Sequence, residues 1–361
     1  MKLKNFSVSF FVDKLLHWYE NHKRDLPWRS TKVPYRIWLS EILLQQTRVV
    51  QALPYYEKFI VHFPTVEDLA NASEGEVLHL WQGLGYYSRA RNLHACAKYI
   101  AFKLNGVFPS SYVELIKLPG IGPYTAAAVA SIAFKEAVPV LDGNVYRVLS
   151  RIFGLKADIS SSQGKKKFDE LARQLMPADW PDSYNQALME FGALHCTPKK
   201  PACVYCPFQK YCYAYATSTQ LLLPVKTRKV KVKNRYFHYV VIHFNDDIYF
   251  KKRVEKDIWH GLYDFYVIEG KDKLVGFERL FTPLTSLIKR YGLGVRQSRY
   301  MPVHQLTHQR IHACFFHVYA NSGFIDEADL LLKSAGLVGY ANVYDIPLPI
   351  LITRFCKKEL L

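Results

Sequence analysis

Leu118-Pro119-Gly120-Ile121-Gly122-Pro123-Tyr124 brackets one apolar residue with two glycines, and an alanine-rich run follows at 125–133. Gly120 and Gly122 lack a Cβ, so the backbone can turn tightly there and let another molecule approach closely. Pro123 suits the first turn of a helix, where its missing N–H is not needed. The pattern predicts a hairpin between two helices whose free N–H groups can bind an anion such as a nucleic-acid phosphate. On the glycines and proline alone, an ordinary helix–turn–helix corner is an equal alternative.

The composition limits the class of protein and its partners. The chain has 361 residues and a formal net charge of +17. The length suggests two or three domains, and the charge suggests a polyanionic partner such as nucleic acid, or else an acidic membrane surface. No apolar run reaches the length of a membrane span. Seven cysteines, four of them in one short cluster, do not form the pattern of a disulfide framework. We therefore expect a protein of the reducing cytoplasm.

One acidic residue lies in the middle of a mostly apolar stretch. Glu41 has tryptophan, leucine and isoleucine neighbours on both sides, within a helix predicted over 34–47. Burial there would favour the protonated carboxyl, which is the form that a general acid needs. Taken alone, the sequence favours the plainer interpretation of a solvated acid near a helix N-terminus, because charged residues are seldom buried.

A second acidic residue follows the hairpin. Asp142 and Asn144 lie in Leu141-Asp142-Gly143-Asn144, at the predicted start of a helix. Plain N-capping is a common use of both residue types. Because the N–H groups at a helix start stabilise negative charge, we expect the Asp142 carboxylate to ionise easily. An ionised carboxylate could stabilise a developing positive charge on a substrate.

Four cysteines form a compact cluster with the spacing C-x6-C-x2-C-x5-C. They are Cys196, Cys203, Cys206 and Cys212. Four thiolates so close in sequence predict a metal site. A structural zinc site usually brings its ligands in close pairs, and only the second and third cysteines form one. A compact loop of four cysteines can also hold a cubane iron–sulfur cluster, so spacing alone leaves both metals open.

The stretch Gly83-Leu84-Gly85-Tyr86-Tyr87-Ser88-Arg89-Ala90-Arg91 combines glycines, aromatic residues and arginines. Aromatic rings can wedge into a base stack, and arginines can hold phosphates. The alternative is a tight turn whose tyrosines belong to the core.

The last third of the chain changes in character. A basic connector covers 224–235, with six Lys or Arg residues and no acid. Strands are predicted at 236–244, 248–254, 259–265 and 311–319, and helices at 275–291 and the C-terminus. The first two strands flank Asn245-Asp246-Asp247, which predicts a β-hairpin. We expect a small α+β domain at 236–361, a linker at 217–235 and an all-α domain at 1–216.

Several of these motifs agree in order and spacing with one known family. The chain resembles the helix-hairpin-helix superfamily that includes endonuclease III, and it is most similar to the adenine DNA glycosylase (MutY-type) family. The resemblance covers about 18–213, with weaker similarity in the last third. It implies an all-α helix-hairpin-helix catalytic domain with a [4Fe–4S] loop at 196–212, followed by a small α+β Nudix-like domain. The acidic Nudix signature is missing, because 270–290 offers only Asp272 and Glu278. The C-terminal domain is therefore expected to recognise a lesion.

The resemblance also implies roles for individual residues. Tyr124 takes the place of a lysine that attacks the sugar in the endonuclease III branch, and Leu306 replaces an aromatic residue in a loop of the type Phe-Ser-His. The implied catalytic residues are Glu41 as general acid, Asp142 as stabiliser or covalent partner of the sugar cation, Tyr124 and Asn144. The implied adenine-binding residues are Trp28, Arg29 and Glu190. The implied DNA-binding residues are Gln46, Tyr86, Gly120 and Gly122. The implied 8-oxoguanine-reading residues are Leu306, Thr307 and His308. The implied ligands of the [4Fe–4S] cluster are Cys196, Cys203, Cys206 and Cys212.

The implied activity is that of a monofunctional glycosylase of base excision repair. It would flip and hydrolyse adenine mispaired with 8-oxoguanine or guanine in double-stranded DNA. We expect a monomer that does not bind membranes and acts in the cytoplasm at the nucleoid. One alternative is an endonuclease III-like glycosylase for oxidised pyrimidines, against which Tyr124 and the extra C-terminal domain argue. Another is a non-catalytic lesion-binding protein, against which the presence of both Glu41 and Asp142 argues. A Nudix-type hydrolase is a more distant third.

Overall fold

The structure, a computed structural model, describes residues 7–228, 231–271 and 282–360. The chain forms two compact units. The helical unit consists of Met1–Asn71 and Asn92–Lys229, and the sheet unit consists of Ala72–Arg91 and Val230–Leu361. A segment from the helical half of the sequence therefore belongs to the sheet unit. The sequence patterns did not predict that residues 72–91 belong to the sheet unit. The domain limits at 216 and 235 stay a prediction.

Twelve of the described helices precede the basic connector. Short 3-10 turns at Pro27–Arg29, Cys203–Tyr205 and Gln209–Tyr211 accompany them. α5 lies in the sheet unit, and α6 begins there and continues in the helical unit. The helices are α1 Val8–His22, α2 Pro34–Leu44, α3 Val49–His62, α4 Val66–Asn71, α5 Glu74–Leu80, α6 Ser88–Lys103, α7 Tyr112–Leu115, α8 Pro123–Phe134, α9 Gly143–Phe153, α10 Ser162–Leu175, α11 Pro181–Leu194 and α12 Tyr213–Ala216.

One hydrophobic core fixes the helices that carry the predicted catalytic and cysteine residues. The apolar stripes of α1, α9, α10 and α11 meet in it, because their buried residues recur at helical spacing. Phe11, Val148 and Phe191 are fully buried members of this core. Three of the clustered cysteines, Cys196, Cys206 and Cys212, pack against the same core. The core therefore ties the start of α9 to the cysteine loop.

The hairpin predicted at 118–124 joins α7 to α8. Gly120 has φ +72°, and a Cβ there would lie 2.6 Å from the Cβ of Asn92, so both the backbone conformation and the packing favour glycine. Gly122 precedes α8 as its N-cap, and Pro123 is the first residue of the helix. A Cβ on Gly122 would meet no atom within 4 Å, so the space in front of it is open. The predicted helix-hairpin-helix is confirmed.

The sheet unit contains a mixed sheet in which most pairs are antiparallel. Its central strands β1 and β7 run parallel, from Lys233 opposite Gln309 to His243 opposite Tyr319. The sheet order is β3-β2-β1-β7-β5, with β4 paired to β1, β6 to β7 and β8 to β2. The strands are β1 Lys233–Phe244, β2 Asp247–Lys252, β3 Tyr263–Asp264, β4 Tyr266–Gly270, β5 Val295–Gln297, β6 Val303–Gln305, β7 Gln309–Tyr319 and β8 Leu337–Tyr340.

In the described part of this unit, three helices follow: α13 Thr282–Arg290, α14 Ser322–Ser334 and α15 Ile350–Glu359. The α+β prediction is confirmed, as is the hairpin between β1 and β2. The strand predicted at 259–265 is wrong over its first half, because Trp259 at φ +62° and Gly261 at φ +83° break the extended backbone. Part of the helix predicted at 275–291 is present in α13, and 272–281 lies outside the described residues. Among the helices of the described ranges, none has the length and apolar composition of a transmembrane span.

Candidate active site

A cavity of about 710 Å³ opens in the helical unit. Its wall is formed by the turn before α2, by α2 itself, by the first residues of α8 and α9, and by α11. The predicted site residues in this wall are Trp28, Arg29, Glu41, Tyr124, Asp142, Asn144 and Glu190. Residues from five separate stretches of the sequence thus line one space, which is large enough for a nucleobase and sugar.

Glu41 is buried in the cavity wall. It lies on α2 with an exposed fraction of only 5%. The Tyr124 hydroxyl donates a hydrogen bond of 2.5 Å to its Oε2. Burial raises the pKa of Glu41 to about 7, with a further upward contribution from Asp142, while the bond from Tyr124 and the charge of Arg29 act downward. A carboxyl with this pKa carries a proton in a large fraction of molecules at neutral pH.

Tyr124 stands directly after the hairpin, in the first turn of α8. Its hydroxyl also approaches the Met189 sulfur at 3.6 Å. Burial, followed by the nearby carboxylates Glu41 and Asp142, raises the pKa of Tyr124 well above its ordinary value. The hydroxyl therefore stays protonated and acts as a donor toward Glu41.

Asp142 is the N-cap residue of α9. Its Oδ1 accepts a bond of 2.7 Å from the Val145 N–H, and its Oδ2 accepts one of 2.8 Å from the Asn144 side chain. The side chain is partly exposed, on the cavity wall. Burial by the surrounding protein nevertheless raises the pKa of Asp142 above its ordinary value, and the capping bonds offset this rise only in part. The N-cap bonds that were expected to favour the charged carboxylate are present, and burial, which a sequence pattern does not measure, acts against them.

Arg147 links this carboxylate to the cysteine loop, and sequence reasoning gave it no role. Its Nη2 donates 2.8 Å to the Asn144 side-chain oxygen, and its Nε donates 2.8 Å to the carbonyl of Cys196. Asn144 in turn donates to Asp142. The rotamer of Asn144, and through it the orientation of Asp142, is thus fixed by an arginine one helical turn further along α9.

Glu190 forms a second, very different carboxylate centre. Arg24 and Arg29 donate five hydrogen bonds to its two oxygens, at 2.5 to 3.0 Å. Although burial raises it, these bonds lower the pKa of Glu190 to about 2. The carboxylate is therefore charged, and its acceptor sites are filled by the two guanidinium groups and the Arg24 backbone N–H. Arg24 was missed by sequence analysis, since it lies in a polar stretch before the Pro27–Arg29 turn with no motif of its own.

Trp28 and Gln46 differ in their exposure. Trp28 is buried, and its ring meets that of Tyr56 edge-on at 5.1 Å between centroids. Gln46 is exposed and has φ +56°, in the left-handed region that non-glycine residues rarely adopt. Strained backbone of this kind is concentrated at functional sites, which fits the predicted role of Gln46 in contacting DNA.

The cysteine loop brings its four thiols near one another. Burial raises the pKa of Cys206 to about 12, and the other three cysteine thiols contribute to its shift. Arg151 Nη1 lies 3.4 Å from the Cys196 sulfur and donates to the Thr197 carbonyl at 2.7 Å. Within the described ranges, no three His, Cys, Asp or Glu side chains are arranged to hold a single metal ion. A zinc ion would need sulfurs at about 2.3 Å from one centre, whereas a cubane cluster binds each thiolate to a different iron and fits a wider group.

In the sheet unit, two predicted DNA-contacting regions meet. Tyr86, 42% exposed and with φ +49°, places its hydroxyl against the Thr307 hydroxyl. Thr307 and His308 are exposed in the turn between β6 and β7, and Leu306 is half-buried there. The structure thus brings Tyr86 to the loop predicted to read 8-oxoguanine.

The arginines near Tyr86 have internal partners. Arg89 is buried, and its guanidinium lies 5.1 Å from the centre of the Trp81 ring. Arg91 donates a hydrogen bond of 2.6 Å to the His260 carbonyl. The expectation that these two arginines hold phosphates is therefore not supported by their contacts.

Known proteins resemble both the sequence and the fold. Residues 39–174 match the family model described as HhH-GPD superfamily base excision DNA repair protein. A solved thermostable thymine-DNA glycosylase is 32% identical, with a TM-score of 0.53 over 58% of this chain and 97% of its own. A non-covalent endonuclease III–DNA complex, at 23% identity and a TM-score of 0.51 over 59% of this chain and 97% of its own, shares the fold.

Relatives found by sequence similarity indicate a narrower family than the solved structures do. The adenine DNA glycosylase of Buchnera aphidicola subsp. Schizaphis graminum is 34% identical over 344 residues, which are 95% of this chain and 96% of the relative. The human adenine DNA glycosylase is 45% identical over 216 residues, which are 57% of this chain and 40% of the human protein. Together with the helix-hairpin-helix fold and the carboxylate-lined cavity, these matches show that the chain is a DNA glycosylase of base excision repair and belongs to the adenine DNA glycosylase family.

Proposed function

We propose that this enzyme hydrolyses the N-glycosidic bond of adenine mispaired with 8-oxoguanine, or with guanine, in double-stranded DNA. The observation that carries the proposal is the pair of carboxyl groups in one cavity, Glu41 and Asp142. Glu41 has its pKa raised to about 7, while Asp142 keeps hydrogen bonds that favour its charged form. Paired carboxyl groups held in different environments can take the separate roles of acid and charge stabiliser.

The reaction begins when the adenine leaves the base stack and enters the cavity. Protonated Glu41 donates its proton to a nitrogen of the five-membered ring, which makes adenine a better leaving group. The C1′–N9 bond then breaks, and its electron pair leaves with the base. The Tyr124 hydroxyl, 2.5 Å from Glu41 Oε2, stabilises the carboxylate that remains after proton transfer.

Asp142 acts on the sugar. Its partly exposed carboxylate lies in the cavity wall, where it can stabilise the oxocarbenium-like sugar or form a transient bond to C1′. Asn144 holds the carboxylate in place through its 2.8 Å hydrogen bond. Water then adds to C1′ and releases a proton, which restores the acid and leaves an abasic site.

Tyr124 is the basis for proposing a monofunctional enzyme. A lyase of this superfamily uses a lysine amine to attack the sugar as a Schiff base, and a phenol cannot form that bond. The hydroxyl of Tyr124 is, moreover, engaged with Glu41. We therefore expect base release without efficient strand cleavage.

The adenine would bind beside Trp28 and Arg29. Glu190 holds the guanidinium of Arg29 by two hydrogen bonds of 2.8 and 2.9 Å. Because the oxygens of Glu190 are already bonded, its role in adenine binding is to fix Arg29 and Arg24 at the cavity wall. Trp28 contributes an aromatic surface to the same wall.

Residues of both units would contact the DNA. Gly120 and Gly122 present backbone N–H groups to a phosphate, and Gln46 and Tyr86 would occupy the space left by the flipped base. The loop Leu306, Thr307 and His308 would read the 8-oxoguanine, with the Thr307 hydroxyl at the serine position of the family loop. The formal net charge of +17 supports a polyanionic partner. We propose a monomer that acts in the reducing cytoplasm at the nucleoid.

The cysteine loop is proposed to hold a [4Fe–4S] cluster. Its ligands would be Cys196, Cys203, Cys206 and Cys212, whose thiols lie near one another and pack beside the main core. When bound, such a cluster supplies a cross-link for the loop and takes no part in hydrolysis. Arg151 and Arg147 hold the backbone of this loop through the carbonyls of Cys196 and Thr197.

The test is a single-turnover assay on duplexes with adenine opposite 8-oxoguanine, guanine or cytosine. Selective adenine release from the first two, lost in Glu41→Gln and Asp142→Asn, would support the proposal. Release of an oxidised pyrimidine instead would favour the endonuclease III-like alternative. Tight binding without release from the wild-type chain would favour a non-catalytic lesion-binding protein. Strong borohydride trapping on DNA would contradict the monofunctional assignment.

A further inference from the structure

The turn that carries Tyr86 has an unusual backbone, with three residues at positive φ. Gly83 and Gly85 have φ +102° and φ +73°, and Tyr86 itself has φ +49°. Within the turn, the Trp81 indole donates to the Gly85 carbonyl at 3.1 Å, and the Gly83 N–H donates to the Tyr87 hydroxyl at 3.3 Å. A non-glycine residue in the left-handed region persists only where its surroundings hold it there. The turn therefore needs support from outside.

That support comes from the C-terminal part of the sheet unit. Arg91 Nη1 donates 2.6 Å to the carbonyl of His260. Gln82 Nε2 donates 3.1 Å to the Thr353 hydroxyl on α15. These two bonds lie on either side of Tyr86 in the sequence, so both ends of the turn are fixed to residues far along the chain.

The closest support is the loop at 259–262, the part of the expected strand that is not extended. Gly261 has φ +83°, and a Cβ there would lie 3.0 Å from Leu78 Cδ1 and 3.1 Å from Glu74 Oε1. Its N–H donates to the Arg253 carbonyl at 2.8 Å, so the loop cannot easily move away. The Arg253 guanidinium is itself held by the buried Asp264 at 2.9 Å. α5 thus rests directly on the backbone of this loop.

We propose that the loop at 259–262 holds segment 72–91 in place. Gly261 and Arg91 are positioning residues, because they hold Tyr86 where it can recognise the base opposite the adenine. The inference rests on the proposed 8-oxoguanine specificity and deepens it. It assigns a role to the loop at 259–262, which the proposed catalytic chemistry does not use. The C-terminal sheet then contributes to recognition twice, through Thr307 and by holding the tyrosine that contacts it.

The first experiment compares Gly261→Ala with Gly336→Ala. Both glycines lie in the sheet unit in the left-handed region, at φ +83° and φ +72°, so alanine strains the backbone similarly at each. Only at Gly261 does the added Cβ press on α5, because nothing lies within 4 Å of a Cβ at Gly336. Single-turnover rates are measured on adenine opposite 8-oxoguanine and opposite guanine. We expect Gly261→Ala to reduce the preference for 8-oxoguanine about tenfold, which lies within the roughly 100-fold that a misplacement of about 1 Å can cost. Gly336→Ala should keep the preference.

The second experiment removes the bond to His260 without adding bulk. Arg91→Met keeps most of the aliphatic stem but has no donor, and Arg91→Lys restores one. We expect the 8-oxoguanine preference to fall in Arg91→Met and to be largely recovered in Arg91→Lys. Amide hydrogen exchange of 80–91 should increase in Arg91→Met, which would show the loss of support directly.

Combination with Tyr86→Ala separates positioning from general stability. If Gly261 acts through Tyr86, Gly261→Ala has no further effect on the preference once Tyr86 is absent, as a double-mutant cycle reports. Equal effects of Gly261→Ala on both mispairs, or an additive effect in the double variant, would overturn the inference. A wild-type chain that releases adenine without preferring 8-oxoguanine would instead remove the proposed specificity on which it rests, and the wild-type measurement alone reveals that outcome.

Discussion

Replacing Glu41 by glutamine is expected to abolish adenine release and, in the same molecule, to stabilise the fold at alkaline pH. Glu41 is 5% exposed, and burial raises its pKa from 4.5 to about 7. A carboxyl whose pKa is higher in the folded chain binds more protons when folded. The free energy of unfolding therefore decreases as the pH rises from the unfolded pKa through the folded one. The glutamine side chain is neutral at every pH, so the variant does not lose this stability.

The size of the effect follows from the two pKa values. Each pKa unit corresponds to about 1.36 kcal/mol, so the rise from 4.5 to about 7 amounts to ~3 kcal/mol of lost stability above neutral pH. The bond from Tyr124 is already included in that pKa, and the amide oxygen of glutamine can accept it as well. For a unit of this size, ~3 kcal/mol corresponds to an increase in Tm of roughly 6–12 °C. Below pH 4.5 the variant and the wild type should be about equally stable.

The assay is denaturant and thermal unfolding of both proteins at pH 5 and pH 8.5, beside single-turnover base release. Glu190→Gln is the control, because its expected effect on the free energy of unfolding has the opposite sign. The pKa of Glu190 is lowered to about 2, so its contribution is present above the unfolded pKa and is lost as the pH falls toward 2. That variant should be less stable than the wild type at both pH values. A Glu41→Gln protein no more stable than the wild type at pH 8.5 would refute the argument, as would an equal gain at pH 5.

Further variants test other parts of the site. Tyr124→Phe removes a bond that lowers the pKa of Glu41, so the alkaline fall in base-release rate should move to higher pH. Tyr184→Phe, which removes a buried hydroxyl with no hydrogen-bond partner in the described part of the chain, should leave the profile in place. Gly120→Ala should cost about 1–2 kcal/mol in denaturant unfolding and weaken duplex binding measured by fluorescence anisotropy, because φ is +72° and Asn92 blocks the Cβ. Cys203→Ser should lower the iron and sulfide content and the Tm if the loop holds a cluster; unchanged iron content would contradict the ligand assignment.

The sequence predicted the parts of the fold that depend on local rules. The hairpin was identified from Gly120, Gly122 and Pro123, because turn geometry and helix starts are short-range properties. The β1–β2 turn at Asn245 was found for the same reason. The strand expected at 259–265 was wrong at Trp259, since a bulky residue at positive φ is held by tertiary contacts that a local pattern does not contain.

The site was harder to predict because it depends on burial. On its residues alone, Glu41 was more plausibly solvated, and only the family resemblance favoured a catalytic acid. The structure shows the burial that the sequence did not reveal, because apolar side chains surround Glu41. Arg24 and Arg147 had no motif, since their roles come from carboxyl and amide partners distant in the sequence. Likewise, no local sequence pattern indicates that residues 72–91 belong to the sheet unit.

Glu41 and Glu190 line the same cavity, yet their pKa values are about 7 and about 2. Burial acts upward on both, so the difference comes from their partners. Glu190 receives two guanidinium groups, while the bond that Glu41 receives from Tyr124 is from a neutral hydroxyl. Arg29, held by Glu190, already lowers the pKa of Glu41. By Coulomb's law, a carboxylate bonded to a guanidinium offsets part of its positive charge. In Glu190→Gln, the less compensated charge of Arg29 should lower the pKa of Glu41 further. The alkaline fall in base release should then begin at lower pH; a fall at the wild-type pH would show that Glu190 acts only by holding the arginines in place.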